Sequence, residues 1–289
     1  MARFLLGMDG GGSHARARLA DLAGRQLGMG TAGPANAGND LQGAIDALDA
    51  SASEVLAAAG LSAIDRAEVV AVIGAAGVGN PKVAAELAAA PFGFKHLRVV
   101  TDAEIALEGA FGGEDGGILI IGTGSQAYGR VGERRLRIGG WGPLLSDGGS
   151  GAVIGRRATR RVLEAHEGLA DTSPMTEAIF NRLGGSAAAL SVFGKTARSV
   201  DWAMLAPIVF DHADAGDPVA CDILARATAE IEALLDRLLG EGMTKIALMG
   251  GLAASYRPRL ASRFAQAFAD PIGDALDGAL SLAGKDARL

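Results

Sequence analysis

The chain has 289 residues, of which 49% are hydrophobic, so it is long enough to bury the cores of two domains. Its net charge of −6 disfavours a broad nucleic-acid-binding surface, and its single cysteine, Cys221, excludes a disulfide framework or a four-cysteine metal site within the chain. No apolar run reaches the roughly 18 residues of a membrane span, and the short apolar run Met1–Met8 lacks a signal-peptide h-region, so we expect a cytoplasmic protein that contacts no membrane.

The first part of the chain begins with a predicted β-meander. Phe4–Met8 has the pattern of a buried strand, Gly10–Gly12 of a tight turn, and Ala15–Ala20 and Arg25–Thr31 of two return strands. A loop over 33–40 and a helix over 41–60 follow. The pattern then predicts two buried strands, each followed by a helix, over Val69–Ile73, Lys82–Ala90, Leu97–Val100 and Ala103–Phe111.

The opening pattern then recurs. A buried strand, a Gly-rich turn, two return strands and a long Gly-rich loop are predicted over Gly117–Ile121, Gly122–Ser125, Gln126–Val131, Glu133–Ile138 and Gly139–Gly151. Helices dominate from Ala152–Ala165 to Gly240, where Cys221 is expected to be buried. A strand and two helices complete the chain, over Lys245–Met249, Tyr256–Ala269 and Asp274–Ala283. The sequence therefore predicts an α/β protein of two similar halves, with a cleft between them and a boundary near residue 110.

Two glycine turns are candidates for phosphate binding. Asp9-Gly10-Gly11-Gly12-Ser13 directly follows a buried strand, and its consecutive glycines would let the backbone approach a polyphosphate closely. Ser13 adds a hydroxyl, and Asp9 is a candidate to hold Mg²⁺ through water. Gly122-Thr123-Gly124-Ser125 has the same setting. Each turn alone fits an ordinary hairpin, but two at matching positions favour phosphate binding.

A third glycine-containing segment, the pair Gly250-Gly251, follows the strand Lys245–Met249. Because glycine has no side chain, a flat nucleoside could lie against the backbone there. The alternative is that the two glycines cap a helix or allow close packing. The sequence contains neither a G-x-x-x-x-G-K-[ST] phosphate loop nor a G-x-G-x-x-G that opens a helix after the first strand. Both of those nucleotide-binding folds are therefore disfavoured.

Asp102 follows the predicted strand Leu97–Val100, where a carboxylate faces the crevice of an open α/β sheet. A phosphoryl-transfer enzyme needs such a group to orient an attacking hydroxyl and to accept its proton. The alternative is that Asp102 is the N-cap of the helix Ala103–Phe111, and Glu104, two residues further on, does not complete a capping box with it. The residues alone leave both interpretations open.

The loop 139–151 is a candidate sugar site. Trp141, flanked by glycines, has little local packing and offers a flat apolar face to a sugar ring, and Asp147 in the same loop offers a carboxylate to its hydroxyls. The alternative is a tryptophan that fills the core. Asn36 has an amide that suits sugar hydroxyls, although a turn role is equally natural.

Three other features have structural interpretations. The basic clusters 134–137 and 156–161 are interpreted as a solvated hairpin edge and a solvated helix face. Trp202 lies in an apolar helical stretch and is expected to be in the core. The four histidines are scattered and lack metal-ligand spacing.

Taken together, these segments resemble the N-acetylglucosamine kinase family within the BadF/BadG/BcrA/BcrD-type ATPases. The most specific element is Gly139-Gly140-Trp141-Gly142 followed by Asp147 and Ser150, with Gly122–Ser125 and Thr101-Asp102 upstream. The resemblance implies two actin-like (ribonuclease H-like) domains, 1–110 and 111–274, with the C-terminal helix 275–289 packing back on the first. It also implies transfer of the γ-phosphate of ATP, with Mg²⁺, to the 6-hydroxyl of N-acetylglucosamine or glucosamine.

The resemblance also implies roles for individual residues. Asp102 would be the catalytic base and Asp9 the residue that holds Mg²⁺ through water. The amino sugar would contact Asn36, Asp102, Gly140, Trp141 and Asp147. The nucleotide would contact Gly11, Gly12, Ser13, Thr123, Gly124, Ser125, Gly250 and Gly251. One departure is Gly148, where the family often has Glu, and it leaves open whether the sugar is N-acetylglucosamine, glucosamine or a muramic acid derivative.

Three alternative functions fit the sequence less well. An activator ATPase of the BadF type would need cysteines for a bridging iron–sulfur cluster, and the chain has only Cys221. An actin-like ATPase or scaffold without a sugar acceptor is disfavoured by the Trp141–Asp147 loop. A zinc-containing sugar kinase of the repressor type is disfavoured because no cysteine–histidine cluster is present. A homodimer is the expected assembly.

Overall fold

The structure, a computed structural model, describes residues 2–288, except for the side chains of residues 63 and 64. The chain divides into two compact units, each with its own sheet and apolar core. Unit 1 is Met1–Asp115 with Asp270–Leu289, of which Met1 and Leu289 lie outside the described residues, and unit 2 is Gly116–Ala269. The mixed α/β class that the sequence predicts is confirmed.

Unit 1 contains a five-stranded sheet in the order β3-β2-β1-β4-β5. The first three strands form the antiparallel meander, and β1, β4 and β5 are parallel to one another. The sequences of β1 and β4 are nearly continuous apolar runs because both strands are buried on both faces. The strand bounds are β1 Phe4–Gly10, β2 Ala15–Asp21, β3 Gln26–Ala32, β4 Val69–Ala75 and β5 His96–Thr101.

Helices cover both faces of this sheet. Leu6 and Met8 of β1 pack in one apolar cluster with helix α1, Leu41–Ala58, whereas Leu5 packs in a second cluster with residues of α3 and α11. The close approach of α1 to the sheet depends on Gly30, where an added Cβ would lie 2.2 Å from the Ser51 carbonyl oxygen. The other helical elements are a 3-10 helix over Ala63–Glu68, α2 Pro81–Ala88, α3 Asp102–Phe111 and, from the end of the chain, α11 Ala275–Asp286.

Unit 2 repeats the meander. Its four-stranded sheet has the order β8-β7-β6-β9, in which β6, β7 and β8 are antiparallel and β9 is parallel to β6. The strand bounds are β6 Gly116–Ile121, β7 Ser125–Val131, β8 Arg134–Gly139 and β9 Ile246–Met249. A separate buried apolar cluster joins this sheet to the helices of unit 2.

The helices of unit 2 are α4 Gly151–His166, α5 Pro174–Arg182, α6 Ala187–Thr196, α7 Ser199–Ala203, α8 Ala206–Asp214, α9 Pro218–Gly240 and α10 Ala253–Phe264. Helix α10 begins and ends earlier than the predicted helix Tyr256–Ala269. Its end differs because Phe268 forms a β-bridge with Ile246 beside β9. Within residues 2–288, no helix combines the length and the apolar composition that crossing a bilayer requires.

Two side-chain predictions need correction or refinement. Cys221 is exposed, not buried, because the buried face of α9 at this point is formed by its neighbours Ala220 and Ile223. Trp202 is only half-buried, and its ring meets Phe193 edge-on at 4.7 Å between centroids.

Candidate active site

Three parallel strands of unit 1 end in one row. Gly10 of β1 is paired with Ala75 of β4, and Ala75 is paired with Thr101 of β5. The chain therefore leaves all three strands at the same edge of the sheet. With a spacing of about 4.8 Å between strands, Asp102 starts about 10 Å from the turn that follows β1.

The turn after β1 exposes its tip. The Gly11 N–H donates to the His14 carbonyl at 3.0 Å, and Gly12 and Ser13 between them are exposed. An added Cβ at Gly12 would meet no atom within 4 Å, so its backbone faces open space. At the root of the turn Asp9 lies opposite Arg16, which donates to its carboxylate at 2.5 Å. The turn thus combines bare backbone, a hydroxyl and a charge pair.

The loop that contains Asn36 lies across this edge. The Ala35 N–H donates to the Gly11 carbonyl after β1 at 2.9 Å, and the Ala37 N–H donates to the Ala76 carbonyl after β4 at 3.0 Å. These bonds hold Asn36 between the two strand ends. Its Oδ1 accepts from the Gly38 N–H at 3.0 Å, which is the turn role that the sequence offered as the alternative.

The capping of α3 differs from the interpretation in which Asp102 is the cap. The N-cap is Thr101, whose hydroxyl accepts from the Glu104 N–H while the Glu104 carboxylate accepts from the Thr101 N–H. Glu104 therefore does complete a capping box, with Thr101. Asp102 is the first helical residue, is half-buried, and accepts from the Ala103 N–H at 2.9 Å.

In unit 2 the two candidate nucleotide segments meet at one sheet edge. β6 and β9 are paired up to Ile120 and Met249, and beyond them the Leu252 N–H donates to the Ile121 carbonyl at 3.0 Å. Gly250 has a φ of +91°, and an added Cβ would lie 2.4 Å from the Ile121 carbonyl oxygen, so only glycine fits there. An added Cβ at Gly251 would meet nothing within 4 Å, and one at Gly122 would meet only the Gly251 N at 3.9 Å.

Helix α4 begins against the Gly122–Ser125 turn. Its first N–H groups, those of Gly151 and Ala152, donate to the carbonyls of Gly122 and Thr123 at 2.8 and 3.1 Å. The N-cap is Ser150, whose hydroxyl accepts from the Val153 N–H. The positive end of the α4 dipole therefore lies at this turn, which suits an anion.

Asp147 is held beside the same turn. Its carboxylate is buried, with 6% of the residue exposed, and Oδ2 lies 2.6 Å from where a Cβ on Gly124 would be. Oδ1 accepts from the Ser146 hydroxyl at 2.8 Å. With a φ of +59°, Asp147 is the one non-glycine residue among those described that has a left-handed backbone.

Trp141 does not fill a core. The residue is 68% exposed, and the Arg137 guanidinium stacks over its ring at 4.9 Å from the centroid. Its backbone N–H donates to the Ser146 hydroxyl at 2.9 Å, so one serine links Trp141 to Asp147. Gly140, with a φ of +71°, passes so close to Gln126 that a Cβ would lie 2.2 Å from its Oε1.

The sequence analysis did not identify the residues outside the loop 139–151 that hold this loop in place. Glu230 of α9 accepts from the Gly149 N–H at 2.9 Å, and the Tyr256 hydroxyl of α10 donates to the Gly149 carbonyl at 2.6 Å. Arg157 of α4 forms a two-pronged ion pair with Glu230 instead of lying on a solvated helix face. No local signal marks these contacts, because the partners are 73 or more positions apart.

Comparisons with known proteins agree with the sequence resemblance. Residues 6–275 match the model of the BadF/BadG/BcrA/BcrD ATPase family. The chain is 32% identical over 282 residues to glucosamine kinase GspK of Vibrio cholerae, which covers 98% of this chain and 96% of that protein. It is also 32% identical to N-acetyl-D-glucosamine kinase of Dictyostelium discoideum over 146 residues, 48% of this chain and 46% of that protein.

Solved structures confirm the actin-like fold class. A Chromobacterium violaceum protein provisionally named N-acetylglucosamine kinase has a TM-score of 0.91 at 33% identity and covers 98% of this chain and 99% of that one. A ROK family glucokinase from Streptomyces griseus, solved with glucose and AMPPNP, has a TM-score of 0.57 at 19% identity and covers 99% of both chains. The second likeness concerns the fold alone.

Proposed function

The chain belongs to the BadF/BadG/BcrA/BcrD ATPase family, and we propose from this premise that it is an ATP-dependent amino-sugar kinase. It transfers the γ-phosphate of ATP to the 6-hydroxyl of N-acetylglucosamine or glucosamine. The names of the relatives, glucosamine kinase and N-acetyl-D-glucosamine kinase, support the substrate class.

One observation carries the assignment of the catalytic group. Thr101 and Glu104 cap α3, so the carboxylate of Asp102 is not required for capping. Asp102 also lies at the same edge of the sheet as the Gly11 turn and the Asn36 loop. A carboxylate placed there can orient an acceptor hydroxyl beside phosphate-binding backbone.

The nucleotide is assigned to the glycine segments. Gly11, Gly12 and Ser13 of unit 1, and Thr123 and Gly124 of unit 2, bind its phosphates. Ser125 is buried and donates its hydroxyl to the Gly148 carbonyl, so it supports the second turn instead. The open backbone at Gly12 and the α4 N-terminus at the second turn support this assignment. Gly250 and Gly251 adjoin the adenosine, since the space over Gly251 is open and the left-handed conformation of Gly250 excludes a side chain.

Asp9 is the residue that would hold Mg²⁺, through water. Mg²⁺ bound with phosphates keeps several waters and needs only one or two carboxylates, so the single carboxylate at the root of the Gly11 turn suits it. Within residues 2–288 no group of three or more acidic, histidine or cysteine side chains that could hold a metal ion is found. The ion would neutralise charge on the phosphates.

The proposed chemistry uses one proton transfer. Asp102 orients the sugar 6-hydroxyl and accepts its proton as that oxygen forms a bond to the γ-phosphorus of ATP. The bond between the γ-phosphorus and the β,γ-bridging oxygen breaks, and ADP leaves. The backbone N–H groups of the two turns stabilise charge on the phosphoryl oxygens.

The amino sugar is assigned to Asn36, Asp102, Gly140, Trp141 and Asp147. The exposed ring of Trp141 supports this assignment, because a large flat apolar side chain with one face on Arg137 is suited to stack on a sugar. Asp147 supplies a carboxylate for a hydroxyl or an amino group.

The test measures ADP release with Mg²⁺-ATP in the presence of N-acetylglucosamine, glucosamine, N-acetylmuramic acid, glucose or no sugar. The proposal predicts ADP release that depends on an amino sugar and is low with glucose or without sugar. Equal release in all five mixtures would instead indicate an ATPase without a sugar acceptor.

A further inference from the structure

The segment Asp147–Ser150, called here the Asp147 loop, has a backbone that needs outside support. Asp147 adopts a left-handed conformation with φ +59°, which is unfavourable for a residue with a side chain, and Gly149 follows with φ +74°. Glycine adopts such a φ without strain, but the conformation of Asp147 persists only where the surroundings fix it. The position of the Asp147 carboxylate beside Gly124 therefore depends on what holds this loop.

Side chains from two helices and one strand hold the loop by its peptide groups. The Ser125 hydroxyl donates to the Gly148 carbonyl at 2.8 Å, and the Tyr256 hydroxyl donates to the Gly149 carbonyl at 2.6 Å. Glu230 accepts from the Gly149 N–H at 2.9 Å. Both polar groups of the Gly149 backbone are thus bonded to side chains that lie far away in the sequence.

Glu230 is itself fixed in direction. Arg157 donates from Nη1 to Oε2 at 2.9 Å and from Nη2 to Oε1 at 2.5 Å. Both carboxylate oxygens of Glu230 therefore accept a hydrogen bond from the same guanidinium, which fixes the orientation of the carboxylate. Oε2 is the same atom that accepts from Gly149. The hydrogen bond with Glu230 raises the pKa of the Arg157 guanidinium above its usual value, so Arg157 stays protonated.

The absence of a side chain at position 148 makes room for Glu230. A Cβ added to Gly148 would lie 2.9 Å from the Glu230 Cβ and 3.0 Å from its carboxyl carbon. Gly149 packs equally closely, since its added Cβ would lie 2.5 Å from a side-chain carbon of Ile231. The Asp147 loop and α9 are therefore fitted to each other at Glu230.

We infer that Glu230 is a positioning residue of the proposed reaction, which fixes the Asp147 loop and thereby holds the Asp147 carboxylate in place for the amino sugar. This inference rests on the proposed function. A surface ion pair that only stabilised unit 2 would affect folding and leave substrate affinity unchanged. A positioning residue would change the affinity for the sugar through Asp147.

The experiment compares Glu230→Ala with Glu232→Ala in the full-length protein, by steady-state kinetics with the best amino sugar. Glu232 lies on the same helix and pairs with Arg263, but has no bond to the Asp147 loop, so it is the matched control. We expect Glu230→Ala to raise the KM for the sugar about tenfold, because a misplaced binding group loses substrate contacts. The KM for ATP should stay within about twofold, and Glu232→Ala should alter neither.

A double-mutant cycle tests whether Glu230 acts through Asp147. In an Asp147→Asn background, Glu230→Ala should raise the KM for the sugar by less than about twofold, because the positioned carboxylate is already gone. Full multiplication of the two effects, or unchanged sugar KM in Glu230→Ala, would overturn the inference. Glu230→Gln, which keeps the shape and one acceptor, replaces Glu230→Ala if that variant does not fold, and an intermediate KM is then expected.

Hydrogen exchange separates this inference from the proposed function. Peptides that cover residues 145–151 should exchange faster in Glu230→Ala than in wild type or Glu232→Ala, whatever the substrate. If wild type shows no sugar-dependent ADP release, the proposed function fails, and a change in exchange would leave Glu230 only as a support of the loop. If wild type is active but exchange and sugar KM are unchanged in Glu230→Ala, only the role of Glu230 fails.

Discussion

Asp102 lies one position beyond the residue that caps its helix. Thr101 and Glu104 satisfy each other's backbone N–H groups, so α3 begins with its own cap and its first residue carries an additional carboxylate. Cap stability and proton transfer are therefore assigned to different side chains. This division makes the two roles separable by mutation.

Replacement of Asp102 by Asn should lower kcat by about 10²–10⁴-fold, because the amide cannot accept the proton of the acceptor hydroxyl. ATP affinity and the thermal midpoint should change little, since the capping box is intact. Glu104→Ala is the control, which removes one half of the capping box and should leave kcat near wild type. Calorimetric nucleotide titration and coupled kinetics measure both quantities, and near-normal turnover in Asp102→Asn would exclude it as the base.

Among individual site residues, those marked by a local sequence pattern could be predicted from the sequence. Gly250 could be recognised as part of a bare-backbone turn because its glycine pair follows an apolar run. The sequence left open whether Asp102 caps α3, because Asp and Thr are both good caps and the choice depends on where β5 ends. Glu230 and Tyr256 could not be found, because only the tertiary fold brings them to Gly149.

Among the elements, α5 and α9 start at one shared carboxylate. Asp217 is the N-cap of α9 and accepts from the Val219 and Ala220 N–H groups, and it also accepts from the Met175 N–H at the start of α5. Burial acts to raise the pKa of the Asp217 carboxyl, but these N–H donors outweigh it and hold the pKa below its usual range. The ionised carboxylate therefore stabilises the folded state.

Asp217→Ala should lower the free energy of unfolding at pH 7 by about 2–4 kcal/mol, from the lost cap and the unpaired Met175 N–H. Because the folded-state pKa is depressed, this stabilisation is present above the unfolded-state value of about 3.9 and is lost as the pH falls through the folded-state value. The difference between wild type and variant should therefore shrink below about pH 4. Urea denaturation at pH 7 and below about pH 4 measures the difference in the free energy of unfolding between wild type and variant. A difference that did not vary with pH would contradict an ionised cap.

Strands were most predictable from the sequence where they are buried apolar runs that end at glycines. β1 and β6 show this, and their turns and return strands follow by alternation. Helix α10 was less predictable. Its last turn is replaced by the bridge between Phe268 and Ile246, a contact between distant positions that no local periodicity encodes.

At the scale of the whole molecule, the same construction occurs twice. Each unit opens with a three-stranded antiparallel meander and then adds a parallel strand beside the first one. In each unit the glycine turn after the first strand lies at the edge where the parallel strands end. We propose that these two units are the two actin-like domains of the kinase, and a homodimer and a cytoplasmic location remain predictions from the sequence.

The account depends most on the fate of the γ-phosphate, which ³¹P nuclear magnetic resonance can follow directly in a mixture of protein, Mg²⁺-ATP and N-acetylglucosamine or glucosamine. The proposed function predicts that the γ-phosphate signal is replaced by that of a sugar phosphate monoester, in the same amount as the ADP formed. It also predicts that the signals stay unchanged without sugar. Formation of inorganic phosphate in equal amounts with and without sugar would contradict the assignment of an amino-sugar kinase.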